Sequence, residues 1–321
     1  NNPNNLAYRE LYARVLFIDQ NFNKTIELLE DTKSIKNMPA TQWALLGDSY
    51  LALEKNEKAL AVYNDWIKGQ PQHRAAWLRK ISTQEKLTDY SGALATVEQV
   101  LARAPDDAQF NVLRANYLIL TKELDEAQVQ IDSLTKAQKE LPLVKGLQGK
   151  IWLTEGKFKQ ALPGLKSLYT KLPSPYNAAL VFGTLKELKQ DKKAFDFLEM
   201  HVESMPNDFT SRTLLAEKAI GFDKNVAKKH YLTLLEKFPN NLSVLNNLAW
   251  IEYELANYNE GDKFANSALT IDPLHPQILD TAGLIQLKLG NKTEAVKLLK
   301  KANELAPEDK IIAKHYQEAL N

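Results

Sequence analysis

Apolar residues recur along this chain at helical spacing. Trp43, Leu46 and Tyr50 lie three or four residues apart, and Tyr63 follows beyond a break; this is the pattern of one buried helix face followed by another. Breaker residues interrupt the periodic stretches, as in Lys55-Asn56-Glu57, Glu155-Gly156-Lys157 and Leu289-Gly290-Asn291-Lys292. The pattern predicts short helices joined in antiparallel pairs by tight turns.

The pairs repeat. Prolines at 3, 71, 105, 173, 206, 239, 273 and 307 are separated by 34, by a multiple of 34, or by 33 residues, with Asn37 and Lys139 at the two vacant places. Twelve residues before each place stands a small residue: Thr25, Ala59, Ala93, Ala127, Ala161, Ala194, Ala227, Gly261 and Ala295. Twelve residues earlier again, or eleven in the two units that are one residue short, come Ala13, Gly47, Ile81, Ala115, Gly149, Gly183, Ala216, Ala249 and Gly283, all small except Ile81. Small residues at two fixed positions are what two helices need where their backbones approach closely. Asn5, Asp107, Ser174, Asp208, Asn241 and Asp309 stand where a first helix needs an N-cap. Pro142, Pro175 and Pro276 fall in first turns, where proline costs no hydrogen bond. Two units are one residue short, and the helix registers put both deletions in paired-helix turns, near Lys189–Asp191 and Gly221–Asp223.

Trp43, Leu46, Gly47, Tyr50, Ala59, Tyr63 and Pro71 resemble the tetratricopeptide-repeat signature at every spacing but the last small position, where Trp66 stands. The resemblance covers essentially the whole chain and implies an all-α fold: a right-handed superhelical solenoid of antiparallel helix pairs. It predicts one solenoid over residues 1–321, with nine repeats starting near 6, 40, 74, 108, 142, 176, 209, 242 and 276 and a closing helix at 310–320. Pro3-Asn4-Asn5 has the form of the tail of a preceding repeat, so the chain is expected to be the C-terminal part of a longer protein.

Trp66 and His201 occupy a normally small position, which predicts local repacking of the seam, the competing readings being a bend in the superhelix or a site. The five histidines, His73, His201, His230, His275 and His315, never lie three or four residues apart, so no helical metal pair is expected, and His73 and His275 are expected on exposed loops.

Composition narrows the function. Lysine plus arginine (41) balances aspartate plus glutamate (40), leaving no basic field for nucleic acid. The chain has no cysteine, which excludes disulfides, thiolate zinc sites and cysteine nucleophiles. No apolar run is long enough to cross a bilayer. No phosphate-cradling glycine loop, serine elbow or cofactor motif occurs. The expectation is a non-catalytic protein without metal or cofactor.

The resemblance makes the second, fifth, ninth and twelfth residues of each first helix the contacts of a concave groove for a protein or peptide. These include Arg14, Asp48, Asn116 and Lys150; Asn177, Leu180, Thr184 and Glu187 in the sixth unit; and Asn246, Trp250, Tyr253 and Asp280 near the end. The last four form the strongest candidate, because exposed aromatics beside polar side chains favour binding; the competing reading makes Trp250 core. The two-carboxylate clamp of chaperone-tail members is absent, since Asn116 is the only ninth-position asparagine and Val112 stands where its lysine belongs.

The phrase Asn246-Asn247-Leu248-Ala249-Trp250 with Leu279-Asp280-Thr281-Ala282-Gly283 looks like one common in bacterial envelope members, among them exosortase-associated (PEP-CTERM) lipoproteins. That implies a scaffold for secretion or exopolysaccharide export, periplasmic or at the outer membrane, with a lipid anchor upstream of residue 1. The alternatives are a cytosolic peptide-binding adaptor and the regulatory arm of a larger enzyme.

Overall fold

The computed structural model describes residues 6–31 and 38–321, so the expectations at Pro3–Asn5 and Asn37 lie outside the described residues. Among the described residues there is no strand. The helices come in pairs: α1 Leu6–Ile18 with α2 Phe22–Glu30, α3 Ala40–Ala52 with α4 Asn56–Gly69, α5 Arg74–Lys86 with α6 Tyr90–Leu101, and α7 Ala108–Leu120 with α8 Leu124–Ser133. A short α9, Lys136–Lys139, precedes α10 Pro142–Thr154 and α11 Phe158–Lys171. Then follow α12 Pro175–Glu187 with α13 Asp191–Ser204, α14 Phe209–Ala219 with α15 Lys224–Lys237, α16 Leu242–Glu254 with α17 Tyr258–Ile271, α18 Pro276–Lys288 with α19 Lys292–Leu305, and a closing α20 Lys310–Leu320. They group into two compact units, Asn1–Lys171 and Leu172–Asn321. Within each, every helix packs on its pair partner, and first helices meet first helices, as α7 meets α10 and α16 meets α18.

The local chemistry sets the boundaries. Asp107, Ser174, Asp208, Asn241 and Asp309 accept backbone N–H bonds at the starts of α7, α12, α14, α16 and α20, satisfying donors that a helix leaves orphaned. Pro142, Pro175 and Pro276 open α10, α12 and α18. The paired-helix turns share one geometry. Gln20, Glu54, Thr88, Lys122, Gly156, Lys189, Ala256 and Gly290 all have positive φ. The next residue donates five back, as Lys55 does to the Tyr50 carbonyl at 2.9 Å and Asp89 to that of Gln84 at 2.8 Å. This is a Schellman closure. The turn from α14 to α15 lacks the left-handed residue and instead closes Asp223 N–H on the Ala219 carbonyl at 2.8 Å, which places the second deletion where the sequence predicts it.

The first deletion lies elsewhere. α12 begins at Pro175 with Ser174 as its cap, directly after Pro173, whereas Pro105 and Pro206 stand two residues before the caps Asp107 and Asp208. The missing residue is therefore in the loop before α12, and α12 is shifted by one. Its buried residues, Asn177, Ala178, Val181, Phe182, Thr184 and Leu185, match those of α3, Gln42, Trp43, Leu46, Gly47, Ser49 and Tyr50, position for position from the helix start. Phe182 thus takes the small-column place, and Gly183 faces open space: a Cβ added there would meet no atom within 4 Å. At true members of the column the approach is close: a Cβ on Gly149 would lie 2.9 Å from the Ala161 carbonyl oxygen, and one on Gly283 2.6 Å from Leu299 Cγ.

The two bulky exceptions are absorbed differently. Trp66 is buried beside Ala76 and Val62, donates its indole N–H to Gln70 at 3.1 Å and meets the His73 ring at 5.0 Å. Small Ala76 sits where α7 carries Phe110, so volume is exchanged between neighbours. His201, also buried, holds Asp208 at 2.7 Å, and close by Arg212 donates to His230 Nδ1 at 3.1 Å. Contrary to the expectation of exposed loop histidines, His73 and His275 are half-buried at the starts of α5 and α18.

Candidate functional site

The first helices of each unit present one face whose outermost residues are exposed. In the unit Asn1–Lys171 these include Ser82, Glu85, Gln109 and Leu143. Arg14 is exposed and pairs with Glu10 at 2.7 Å. Asn116 and Lys150 are half-buried on α7 and α10. Burial lowers the Lys150 ammonium pKa, opposed by the carboxylate of Glu85. The same carboxylate helps burial raise Tyr117, so Glu85 of α5 acts on both α7 and α10. Asp48 is already engaged: it accepts from Tyr63 at 2.6 Å and from Arg79 Nε at 3.0 Å, tying α3 to α4 and α5.

In the unit Leu172–Asn321 the one-residue shift of α12 changes its face. Asn177 and Thr184 point inward, donating to the Leu172 carbonyl at 2.7 Å and the Leu180 carbonyl at 2.7 Å. Tyr176, Ala179, Gly183 and Lys186 take the outward places, and all but Gly183 are exposed. Exposed Thr210, Glu217, Ser243 and Gln277 continue the face on α14, α16 and α18.

The four-residue cluster is brought together, but in two parts. Trp250 and Tyr253 stack at 5.3 Å and 30°, and Tyr258 lies 5.9 Å from Tyr253. Both Trp250 and Tyr253 are half-buried and pack against the buried cluster of Leu284, Leu299 and Ala319, as Leu287 and Tyr316 also do. Burial raises the Tyr253 hydroxyl pKa. Asn246 is half-buried, and its Oδ1 is enclosed with no hydrogen-bond partner among the described residues. Asp280 is buried at 8% exposure and bonded to His315 Nδ1 of α20 at 2.8 Å. Burial raises its pKa, and His315 opposes that rise. Asp280 therefore anchors the closing helix, while the aromatic pair forms a half-covered shelf beside it. Tyr316 and His315 were missed from the sequence. The signal lies in their spacing: His315 follows Asp280 by one repeat plus one residue, within reach of the next first helix.

No group of three or more His, Asp or Glu among the described residues could hold a metal ion, and no described helix is long and apolar enough to cross a membrane.

Two family models described as tetratricopeptide repeat match residues 86–151 and 276–309. The second interval coincides with the unit formed by α18 and α19 and the following loop. The chain is 22% identical over 244 residues to a DnaJ homolog subfamily C member 7 homolog of Dictyostelium discoideum, covering 75% of this chain and 42% of that protein. It is 31% identical over 131 residues to Cellulose synthase operon protein C of Pseudomonas fluorescens, covering 40% of this chain and 10% of that protein. The chain thus spans less than half the length of these curated relatives. The C-terminal part of a TPR repeat-containing protein from Cytophaga hutchinsonii shares the fold, with a TM-score of 0.51 at 14% identity over 65% of this chain and 84% of that one.

Proposed function

We propose that this chain, a tetratricopeptide-repeat protein, is a non-catalytic scaffold that holds a protein or peptide partner along its first-helix faces. The observation that carries this reading is the division of labour on those helices. Their inward positions are filled by the repeat columns, while Glu217, Ser243 and Gln277 stand exposed on α14, α16 and α18, and α16 also carries the half-covered Trp250–Tyr253 pair. Polar and aromatic side chains offered by such helices are the composition of a binding hot spot.

The test is capture of the native partner by the full-length protein. Ser243→Arg with Gln277→Arg crowds the face from two exposed positions and leaves the core intact, so partner capture should fall while helicity stays constant. Unchanged capture sinks the reading. Trp250→Ala with Tyr253→Ala tests the shelf itself. Asp280 is not a suitable probe, because its loss would also release α20.

The partner, on this reading, belongs to a bacterial envelope assembly for secretion or exopolysaccharide export, and the protein works in the periplasm or at the outer membrane. Supporting this are the 31% identity to Cellulose synthase operon protein C and the phrase around Asn246–Trp250 and Leu279–Gly283. The second reading, a cytosolic adaptor, draws on the longer alignment with the DnaJ homolog. Fractionation of the complete gene product separates them: release with the periplasm or outer membrane favours the first, and retention in the cytoplasm favours the second.

A further inference from the structure

A cavity of about 630 Å³ opens in the unit Asn1–Lys171 between α8, α9, α10 and α11. None of the groove positions of α10 lines it, so it is separate from the first-helix face. Two local departures from the repeat border it. α8 has 10 residues where α4 and α11 have 14; Leu134 turns extended, and a capping box between Thr135 and Gln138 starts α9 instead. On the opposite wall α11 carries Pro163-Gly164. The seventh residue of every other second helix bears a side chain, as Val62, Gln130 and Leu298 do, but at Gly164 a Cβ would lie 2.2 Å from the Lys145 carbonyl oxygen. The α10 backbone takes that space, and Gly164 adds only main chain to the cavity wall.

The floor is apolar, built from Ile131, Val144, Trp152 and Pro163. The surroundings are basic. Over α8 to α11, residues 124–171, the chain has eight lysines against Asp125, Glu126, Asp132, Glu140 and Glu155, in a protein of net charge +1. Glu140 is spent on Lys145 at 2.7 Å and Glu155 on Lys157 at 2.9 Å. Lys139 lines the cavity, and Lys159 and Lys166 share the helix face of Pro163 at i, i+4 and i+7. None of these three lysines has an ion pair among the described residues. The one lining carboxylate, Asp132, accepts from Gln128 at 3.1 Å.

We propose that this cavity is a second binding site, which takes an acidic segment of a partner polypeptide that inserts a bulky apolar side chain between α8 and α11. The lysines complement its carboxylates, and the Trp152 floor receives the anchor. A phosphate backbone supplies the charge without an apolar anchor.

The probe is a fluorescein-labelled acidic peptide with a central phenylalanine–leucine pair, titrated into the full chain and read by anisotropy. Saturable binding is expected. Lys139→Glu with Lys159→Glu and Lys166→Glu should weaken it about tenfold or more, whereas reversing Lys297, Lys300 and Lys301 on α19 should change it less than about twofold. Replacing the phenylalanine and leucine of the peptide by alanine should weaken it at least about fivefold; this arm is independent of how any protein variant folds. The proposal is overturned by absence of binding, by equal effects of the two lysine sets, or by an alanine peptide that binds as tightly. It is also overturned if polyuridylate or anionic phosphatidylglycerol vesicles bind through the same lysines while the peptide does not.

Discussion

Gly149 and Gly183 look equivalent in the sequence and are not equivalent in the structure, which makes Gly149→Ala and Gly183→Ala a sharp pair. Both glycines lie inside first helices, α10 and α12, where alanine gains roughly 0.5–1 kcal/mol from backbone entropy and helix propensity. At Gly183 nothing opposes that gain, since the added Cβ meets no atom within 4 Å. At Gly149 the Cβ would meet the Ala161 carbonyl oxygen at 2.9 Å and both Leu165 N and Leu165 Cγ at 3.2 Å. Two of these three atoms are backbone, so α10 and α11 must separate. Overpacking of this kind costs about 1–3 kcal/mol, giving a net effect between neutral and a loss of about 2 kcal/mol. Urea unfolding followed by far-ultraviolet circular dichroism reads the difference; midpoints are compared at equal slope, because repeat arrays need not unfold in one step. The expected separation is about 1–3 kcal/mol, with Gly183→Ala the more stable. If Gly149→Ala stabilises as much as Gly183→Ala, the close approach of α10 and α11 is wrong. If Gly183→Ala destabilises by more than about 1 kcal/mol, the one-residue shift of α12 is wrong.

Three further outcomes follow from the packing. Burial first, and then the charges of Arg212 and Lys229, lowers His230 from 6.5 to about 4. The folded state therefore resists protonation, and stability present above pH 6.5 is lost as the pH falls toward 4, by at most about 3 kcal/mol; His230→Asn should flatten the urea midpoint across that window relative to the parent. Trp66→Ala removes a buried indole and the 3.1 Å bond to Gln70, and should cost about 3–5 kcal/mol in the same assay. His315→Ala leaves Asp280 buried without its partner. It should cost about 1–3 kcal/mol and speed amide exchange in residues 310–320 while leaving α16 and α17 protected.

The repeat is legible in the sequence because its scaffold columns are steric. Ala59, Ala93 and Ala161 are fully buried, and only a small residue fits there, so spacing alone reveals them. The caps Asp107, Asp208 and Asn241 are legible for the same kind of reason, a local hydrogen bond with a fixed offset. Gly183 misleads because glycine is tolerated both where space is absent and where it is plentiful. Only the burial pattern of Asn177 to Leu185 fixes the register. That error moved inward-pointing Asn177 and Thr184 onto the groove and left out Tyr176. The site is less legible than the fold, since exposed side chains answer to a partner and not to the stack. Asp280 could be read as a contact because its sequence neighbours do not show His315, which reaches it from the following helix. The cavity is illegible in the repeat columns because it borders the shortened α8, and no column position marks where a second helix stops early.

The central claim is that the first-helix faces hold the partner. A photo-crosslinking amino acid placed singly at Gln109, Ser243 or Gln277, all exposed on first helices, and at Glu57 or Lys301, both exposed on second helices, tests it in the native cell. The account predicts ultraviolet-dependent adducts to a discrete partner from the first-helix positions and none to that partner from Glu57 or Lys301. Adducts confined to Glu57 and Lys301, or no adduct from any first-helix position, would contradict it.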